Sequence, residues 1–207
     1  PNMIIPGKKC PQQANAQEVA AATIRCMKRY VPAAVSGIVQ HLALSHPEVS
    51  FKLLRDGAEV LHTPGDGKLL SAVYAAMGRD FALGLEEVRG CGGDVQVSGY
   101  VTRPLNGHGT RGRQLFFVNG RFIKSQLLTA ALEEAYRNQL LKGKFPGCVL
   151  HLTLPEDRVD VNVHPAKIEV RFRDSRAVHQ FVFHAVQKAL SAPLGGALDG
   201  SASLSTP

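Results

Sequence analysis

No run of apolar residues in this chain approaches the length of a membrane span, and the N-terminus lacks the basic start, apolar middle and small-residue cleavage site of a secretory signal. The expectation is a soluble, intracellular protein with no membrane partner. Cysteine is scarce and dispersed: Cys10, Cys26, Cys91 and Cys148 form no C-x-x-C pair and no cluster with histidine. A zinc ribbon or a disulfide framework needs closer spacing, so reduced structural thiols are expected. Settings for a nucleophile are missing as well. With no G-x-S-x-G turn and no Cys/His signature, an independent enzyme built on His164 with Asp160 or a cysteine is disfavoured. The GKK at Gly7 to Lys9 is not a phosphate loop, because the earlier glycine and the Ser/Thr after the lysine are both lacking. The chain opens at Pro1 with nothing that reads as a natural start, and a fragment is expected.

What is present fits a globular protein of 207 residues with 44% hydrophobic content, long enough for one good-sized core. The net charge of +7 is uneven. Between Arg103 and Lys144 stand eight basic residues (Arg103, Arg111, Arg113, Arg121, Lys124, Arg137, Lys142, Lys144) and two acidic ones, Glu133 and Glu134, a local net charge of +6. Clustered cations without an apolar insertion face suit nucleic acid before membrane; a merely solvated basic surface is the plain alternative.

Along the chain, residues 1–28 carry no clear pattern beyond a short helix expected over Ala16 to Met27. Val35, Ile38, Val39, Leu42 and Ala43 fall at helical spacing and predict a helix over Ala33 to Leu44, closed by His46-Pro47. Asp56-Gly57 predicts a hairpin between strands Glu48 to Arg55 and Ala58 to His62. A helix over Leu69 to Met77 ends at Gly78. Strands are expected over Phe81 to Arg89 and Asp94 to Thr102, then a flexible basic loop over Arg103 to Arg113. Gln114 to Val118 reads as a strand running into Asn119-Gly120, a strong tight-turn signal. Ser125 is a candidate N-cap for a helix reaching Leu141. Gly147 to Leu154 is a strand, and Asp174 caps an amphipathic helix running to Leu190. The Ser/Ala/Gly/Pro-rich residues 191–207 read as the start of a disordered linker. Together these predict an α+β fold: a mixed sheet with helices packed on one face.

The most marked stretch is RVDVNVHPAKIEVRF, Arg158 to Phe172. Val159, Val161 and Val163 alternate with Asp160, Asn162 and His164, so one strand face is apolar and the other polar. Pro165 ends the ladder, since it lacks a backbone N–H, and Ala166 and Lys167 are expected in the loop beyond. Ile168, Val170 and Phe172 resume the alternation. Lys167 is thus a cation projected from a braced turn, placed as a phosphate contact would be. One carboxylate and one imidazole on the polar face are too few for a closed metal site without other ligands; bracing hydrogen bonds are the simpler role.

FFVNGRFIKSQLL at Phe116 to Leu128 and VDVNVHPAKIEVRF at Val159 to Phe172, with a helix and a strand between them, resemble the MutL family of DNA mismatch repair proteins. HLALSHPEVSFKLL at His41 to Leu54 is similar to that family too. The resemblance spans roughly Met27 to Leu190. It implies the transducer, the second domain of the family's N-terminal ATPase region, over residues 29–190, with a fold like domain two of ribosomal protein S five; residues 1–28 match it poorly. It implies that ATP and Mg²⁺ are held by an upstream domain whose motifs this sequence lacks, so that the fragment alone is inactive while its parent is an ATPase. It implies that Lys167 contacts the γ-phosphate, and that DNA is bound through Arg121 and Lys124, with Arg111, Arg113 and Arg137 next. Partners implied are DNA, including mismatched DNA, a MutS-type mismatch recognition protein, and a second copy of the parent as a homodimer, in the cytoplasm if bacterial. The competing expectation is a free-standing RNA- or DNA-binding βαβ domain, in which the HPAK turn has no purpose.

Overall fold

In the computed structural model of the chain, residues 33–161 and 168–191 are described. In chain order they form α1 (residues 33–45), β1 (Lys52–Arg55), β2 (Ala58–His62), α2 (Leu69–Met77), α3 (Arg79–Leu83), β3 (Leu85–Gly92), β4 (Val95–Thr102), β5 (Gln114–Val118), β6 (Arg121–Ile123), α4 (Gln126–Ala135), β7 (Cys148–Thr153), β8 (Val159–Asp160), β9 (Arg171–Phe172) and α5 (Ser175–Ser191). Five strands make one mixed sheet in the order β3-β4-β7-β5-β6. All its pairings are antiparallel except β5 with β7, which run parallel from Gln114 opposite Cys148 to Val118 opposite Leu152. The β1–β2 hairpin and the β8–β9 pair are separate two-stranded ribbons. The fold is α+β with a mixed sheet, as expected.

Alternation along β5 and β7 builds two cores. Phe116, Val118, Cys148, Leu150 and Leu152 point to one face, where they meet Leu128 and Leu132 of α4 and Val178, Val182 and Val186 of α5. On this face α5 carries the predicted stripe, its first turn held by Asp174 Oδ1 accepting from the Ala177 N–H at 2.9 Å. Leu115, Phe117 and Val149 point the other way and join Leu44 of α1, Val73 of α2 and Phe81 of α3 in a second, smaller core. The expectation of helices on one face only is thereby corrected: α1 and α2, both predicted as helices, and α3 cover the opposite face, because the β5 and β7 residues pointing there are apolar too. Strands buried on both faces read as near-continuous apolar runs, which is why LFFV and CVL show no clean alternation of polar and apolar residues.

Several boundaries move. Around HPAK only Val159–Asp160 and Arg171–Phe172 are strand, while Val161 and Ile168 to Val170 are not, and β3 runs on to Gly92 past Arg89. Phe81 to Leu83 are helical, not the start of a strand; β3 begins at Leu85, after Gly84. Phe81 is buried at the helix–sheet contact, an apolar residue whose packing partner a local pattern cannot reveal. The helix expected to reach Leu141 stops at Ala135: Tyr136 turns inward, its hydroxyl donating to the Thr102 carbonyl, and Asn138 takes a left-handed φ of 65°. The first hairpin strand begins at Lys52 instead of Glu48, because His46 to Ser50 form turns, with the Val49 N–H donating to the His46 carbonyl. The Asp56-Gly57 turn itself has the positive φ at both positions that its sequence demands, 53° and 79°.

At the sheet centre, β4 approaches β7 closely at Gly99, whose φ is 135°; a methyl group there would meet the Val149 carbonyl oxygen at 2.1 Å. On β7, His151 stacks flat on Phe117 with centroids 4.6 Å apart, while its Nε2 is buried and finds no hydrogen-bond partner among the described residues. Burial is the main cause that lowers its pKa, to about 4. The neutral ring therefore favours the fold above its unfolded value near 6.5, and this contribution is lost as pH falls through about 4. We expect chemical-denaturation midpoints to fall between pH 7 and pH 4 by the equivalent of about 3 kcal/mol. His151→Phe should flatten that decline; an equally steep decline in the variant would exclude His151 as its source.

Candidate nucleic-acid interface

The candidate surface is organised by the β5–β6 turn. Asn119 and Gly120 adopt φ of 48° and 77°, the paired left-handed geometry of a two-residue hairpin. The turn is fastened to the end of β7. Asn119 Nδ2 donates to the Leu154 carbonyl at 2.9 Å, the Leu154 N–H donates back to Asn119 Oδ1 at 3.1 Å, and the Asn119 N–H donates to the Leu152 carbonyl at 2.9 Å. From the other side Ser45 Oγ of α1 donates to the Gly120 carbonyl. A turn bonded on two sides gives β6 a fixed direction.

Arg121 opens β6 and Lys124 follows its last residue, so roughly 10 Å of strand separates their backbones. Both are exposed, and neither pairs with a carboxylate among the described residues. The Lys124 N–H donates to the Ile168 carbonyl at 2.6 Å, which ties the residue directly after the HPAK sequence to the end of β6. Ser125 then caps α4, accepting from the Leu128 N–H at 3.3 Å, as its position predicted. No acidic residue stands in the first turn of α4. That leaves the positive end of the helix uncompensated beside Lys124.

The other three predicted cations are not equivalent. Arg111 grips Glu133 of α4 with two hydrogen bonds, Nε to Oε1 at 2.6 Å and Nη2 to Oε2 at 2.9 Å, and lies 4.2 Å over the Phe145 ring. The pairing holds the Glu133 carboxyl below its usual pKa. Much of the charge of Arg111 is thereby compensated, and the loop expected to be flexible is tethered here and at Arg103, which binds Glu86. Arg113 reaches Phe81, on the side of the second core, with its guanidinium 5.3 Å from the ring centroid. Arg137 is exposed beyond the C-terminal end of α4, so the helix, roughly 15 Å long, separates it from Lys124.

A groove of about 1140 Å³ runs between β6, the start of α4 and residues 169–172. It brings Lys124 and Arg111 together and adds two residues that sequence reasoning had not singled out, Arg171 and His41. Arg171 was legible as a polar position in the Ile168-Val170-Phe172 alternation. His41 lies inside the HLALSHPEV motif, but only folding reveals that it stacks on Phe122, with centroids 3.6 Å apart. Arg113, Arg121 and Arg137 lie outside the groove. Lys167, and with it Asn162 and His164, lies outside the described residues, as do the helix expected over Ala16 to Met27 and, of the linker expected over 191–207, all but Ser191, which is the last residue of α5.

Asn119→Ala removes two side-chain hydrogen bonds and puts alanine, which tolerates the left-handed region less well than asparagine, at φ 48°. We expect a loss of about 2 kcal/mol in denaturant unfolding; a loss below about 0.5 kcal/mol would show that the turn is held by other contacts.

Residues 73–191, more than half of the chain, match the family model described as "DNA mismatch repair protein, C-terminal domain". Residues 1–51 match a second model, "Fructose-bisphosphate aldolase class-I". The chain is 46% identical over 158 residues to the DNA mismatch repair protein MutL of Desulforudis audaxviator, covering 76% of this chain and 28% of that protein. It is 42% identical over 159 residues to the MutL of Ralstonia nicotianae, covering 76% and 25% respectively. It thus spans about a quarter of the length of these relatives. A solved structure described as "Crystal Structure of N terminal domain of a DNA repair protein" superposes with a TM-score of 0.67 at 22% identity, covering 84% of this chain and 57% of that one. That likeness concerns the fold.

Proposed function

The chain belongs to the DNA mismatch repair family, and from that premise we propose that it is the segment of a mismatch repair protein that holds DNA without regard to sequence and senses nucleotide bound elsewhere in the longer protein. The observation that carries the DNA part is the pair Arg121 and Lys124, exposed at the two ends of a strand fixed by a doubly bonded turn and free of acidic partners among the described residues. Rigid, uncompensated cations are what a phosphate backbone selects, and contacts to phosphate alone suit a protein that must act at any sequence. Arg113 and Arg137 extend the positive field at its margins. Arg111, engaged by Glu133, serves chiefly to anchor its loop.

For the nucleotide part, the proposal assigns Lys167 to the γ-phosphate of an ATP bound with Mg²⁺ in a preceding domain. A cation at that place discriminates triphosphate from diphosphate. What supports it among the described residues is the anchoring of the next residue: Ile168 accepts from the Lys124 N–H and so is held at the sheet edge, and Phe172 of β9 is buried in the main core. The cytoplasmic setting, the MutS-type partner and homodimerisation of the whole protein belong to the same proposal. No helix among the described residues is long and apolar enough to cross a membrane.

Replacing both Arg121 and Lys124 by Glu should weaken duplex affinity at least tenfold at low salt, to the same extent on unrelated sequences, read by fluorescence anisotropy. Retained affinity rejects this surface. In the longer protein containing an ATP-binding domain, Lys167→Ala should slow ATP turnover and ATP-driven dimerisation together. Wild-type values for both would remove the phosphate role from Lys167.

A further inference from the structure

The helix α1 is apolar on two opposite sides. Toward the body of the protein it sends Ala43 and Leu44, both fully buried, and Gln40, whose Nε2 donates to the Ala76 carbonyl at 2.9 Å. On the other side Val35, Ile38 and Leu42 stand in one row at helical spacing and leave 43%, 60% and 45% of their surface exposed. Apart from His41, residues 33–45 hold no acidic or basic side chain. A surface helix turns a charged or polar face to water, and one that is apolar all round is covered. Single exposed apolar residues such as Leu105 call for no cover; three large ones in a row on an uncharged helix do.

We propose that the cover is the chain's own N-terminal segment, the helix predicted over Ala16 to Met27 folding back antiparallel onto α1. Its sequence supplies the matching surface. At helical spacing Val19, Thr23 and Cys26 fall in one row flanked by Ala20 and Met27, while Gln17, Glu18 and Arg25 fall opposite. The covering helix thus turns toward water the charges that α1 lacks. Connection length also favours this occupant: only residues 28–32 separate the two elements, with Pro32 directly before α1, and helices joined by so short a link lie side by side and antiparallel. In a hairpin of that length Cys26 comes opposite Val35, Thr23 opposite Ile38 and Val19 opposite Leu42, so the two rows meet position by position. Covered in this way, α1 is clamped between the segment and the sheet, which steadies the Ser45 hydroxyl that braces the β5–β6 turn. The packing is internal to the chain and stands whether or not the β6 surface holds DNA.

The test uses the 207-residue chain with Cys10, Cys26 and Cys91 replaced by serine or alanine, and paired cysteines introduced. Under mild oxidation Val19→Cys with Leu42→Cys should close an intramolecular disulfide, identified by peptide mass mapping, at least about tenfold faster than Glu18→Cys with Leu42→Cys, because a thiol on the far side of the segment cannot reach bonding geometry. Equal rates for the two pairs show a segment that does not pack on this face and overturn the proposal, as does a disulfide-linked dimer through Leu42→Cys, which gives the face to a second copy. Stability supplies an independent readout. Leu42→Glu and Val19→Lys should each lower the denaturation midpoint of the full chain, and the two together should recover part of the loss. Midpoints unmoved by either substitution assign the face to a partner outside these 207 residues and overturn the proposal.

Discussion

The parallel pairing of β5 with β7 is the contact on which the rest of the molecule depends. It sets two strands, separated in sequence by a turn, an edge strand and a helix, side by side in a sheet buried on both faces. Phe116 and Leu150 face the α4–α5 layer, and Phe117 and Val149 face the layer of α1 to α3, so each residue step along the ladder serves a different core. A slip of one residue in register would exchange the two layers wholesale. Gly99 tightens this arrangement on the far side of β7, where any β-carbon would collide with the neighbouring backbone.

The surface inherits its rigidity from that ladder. Because β7 ends at Thr153 beside the β5–β6 turn, Asn119 can bond Leu154 through both ends of its amide, and β6 leaves the turn in a fixed direction with Arg121 and Lys124 at its ends. Lys124 then links, through its own N–H, to Ile168, the residue that follows the HPAK sequence. The two signature stretches of the sequence, far apart along the chain, thus meet at one hydrogen bond. Ion pairing engages Arg103 and Arg111 with Glu86 and Glu133, whereas Arg121 and Lys124, at the two ends of β6, have no carboxylate partner among the described residues.

Much of this was legible in the chain itself, for local reasons. Asn119-Gly120 and Asp56-Gly57 form the turns their dipeptides prescribe, Ser125 and Asp174 cap their helices, and Leu69 to Met77 is a helix with the bounds its pattern predicted. What was not legible depends on contacts made at a distance. Phe81 looks like a strand residue until the sheet it buries against is in place, and nothing near Tyr136 announces that Thr102 will stop the helix there. The pairing of His41 with Phe122 is of the same kind. Residues 1–28 resisted the resemblance that fits the rest, and they fall in the segment that matches the aldolase family instead. Even so, α1, which begins inside that match, is built into the second core through Leu44 and braces the β5–β6 turn through Ser45.

The central claim, that uncompensated cations at β6 hold DNA through its phosphates, is tested most directly by the salt dependence of duplex binding to the wild-type chain. Measured on two duplexes of unrelated sequence, log affinity should fall linearly with log salt with a common slope of about −2 or steeper, as two or more phosphate contacts require. A slope near zero, or slopes that differ between the two sequences, would contradict it.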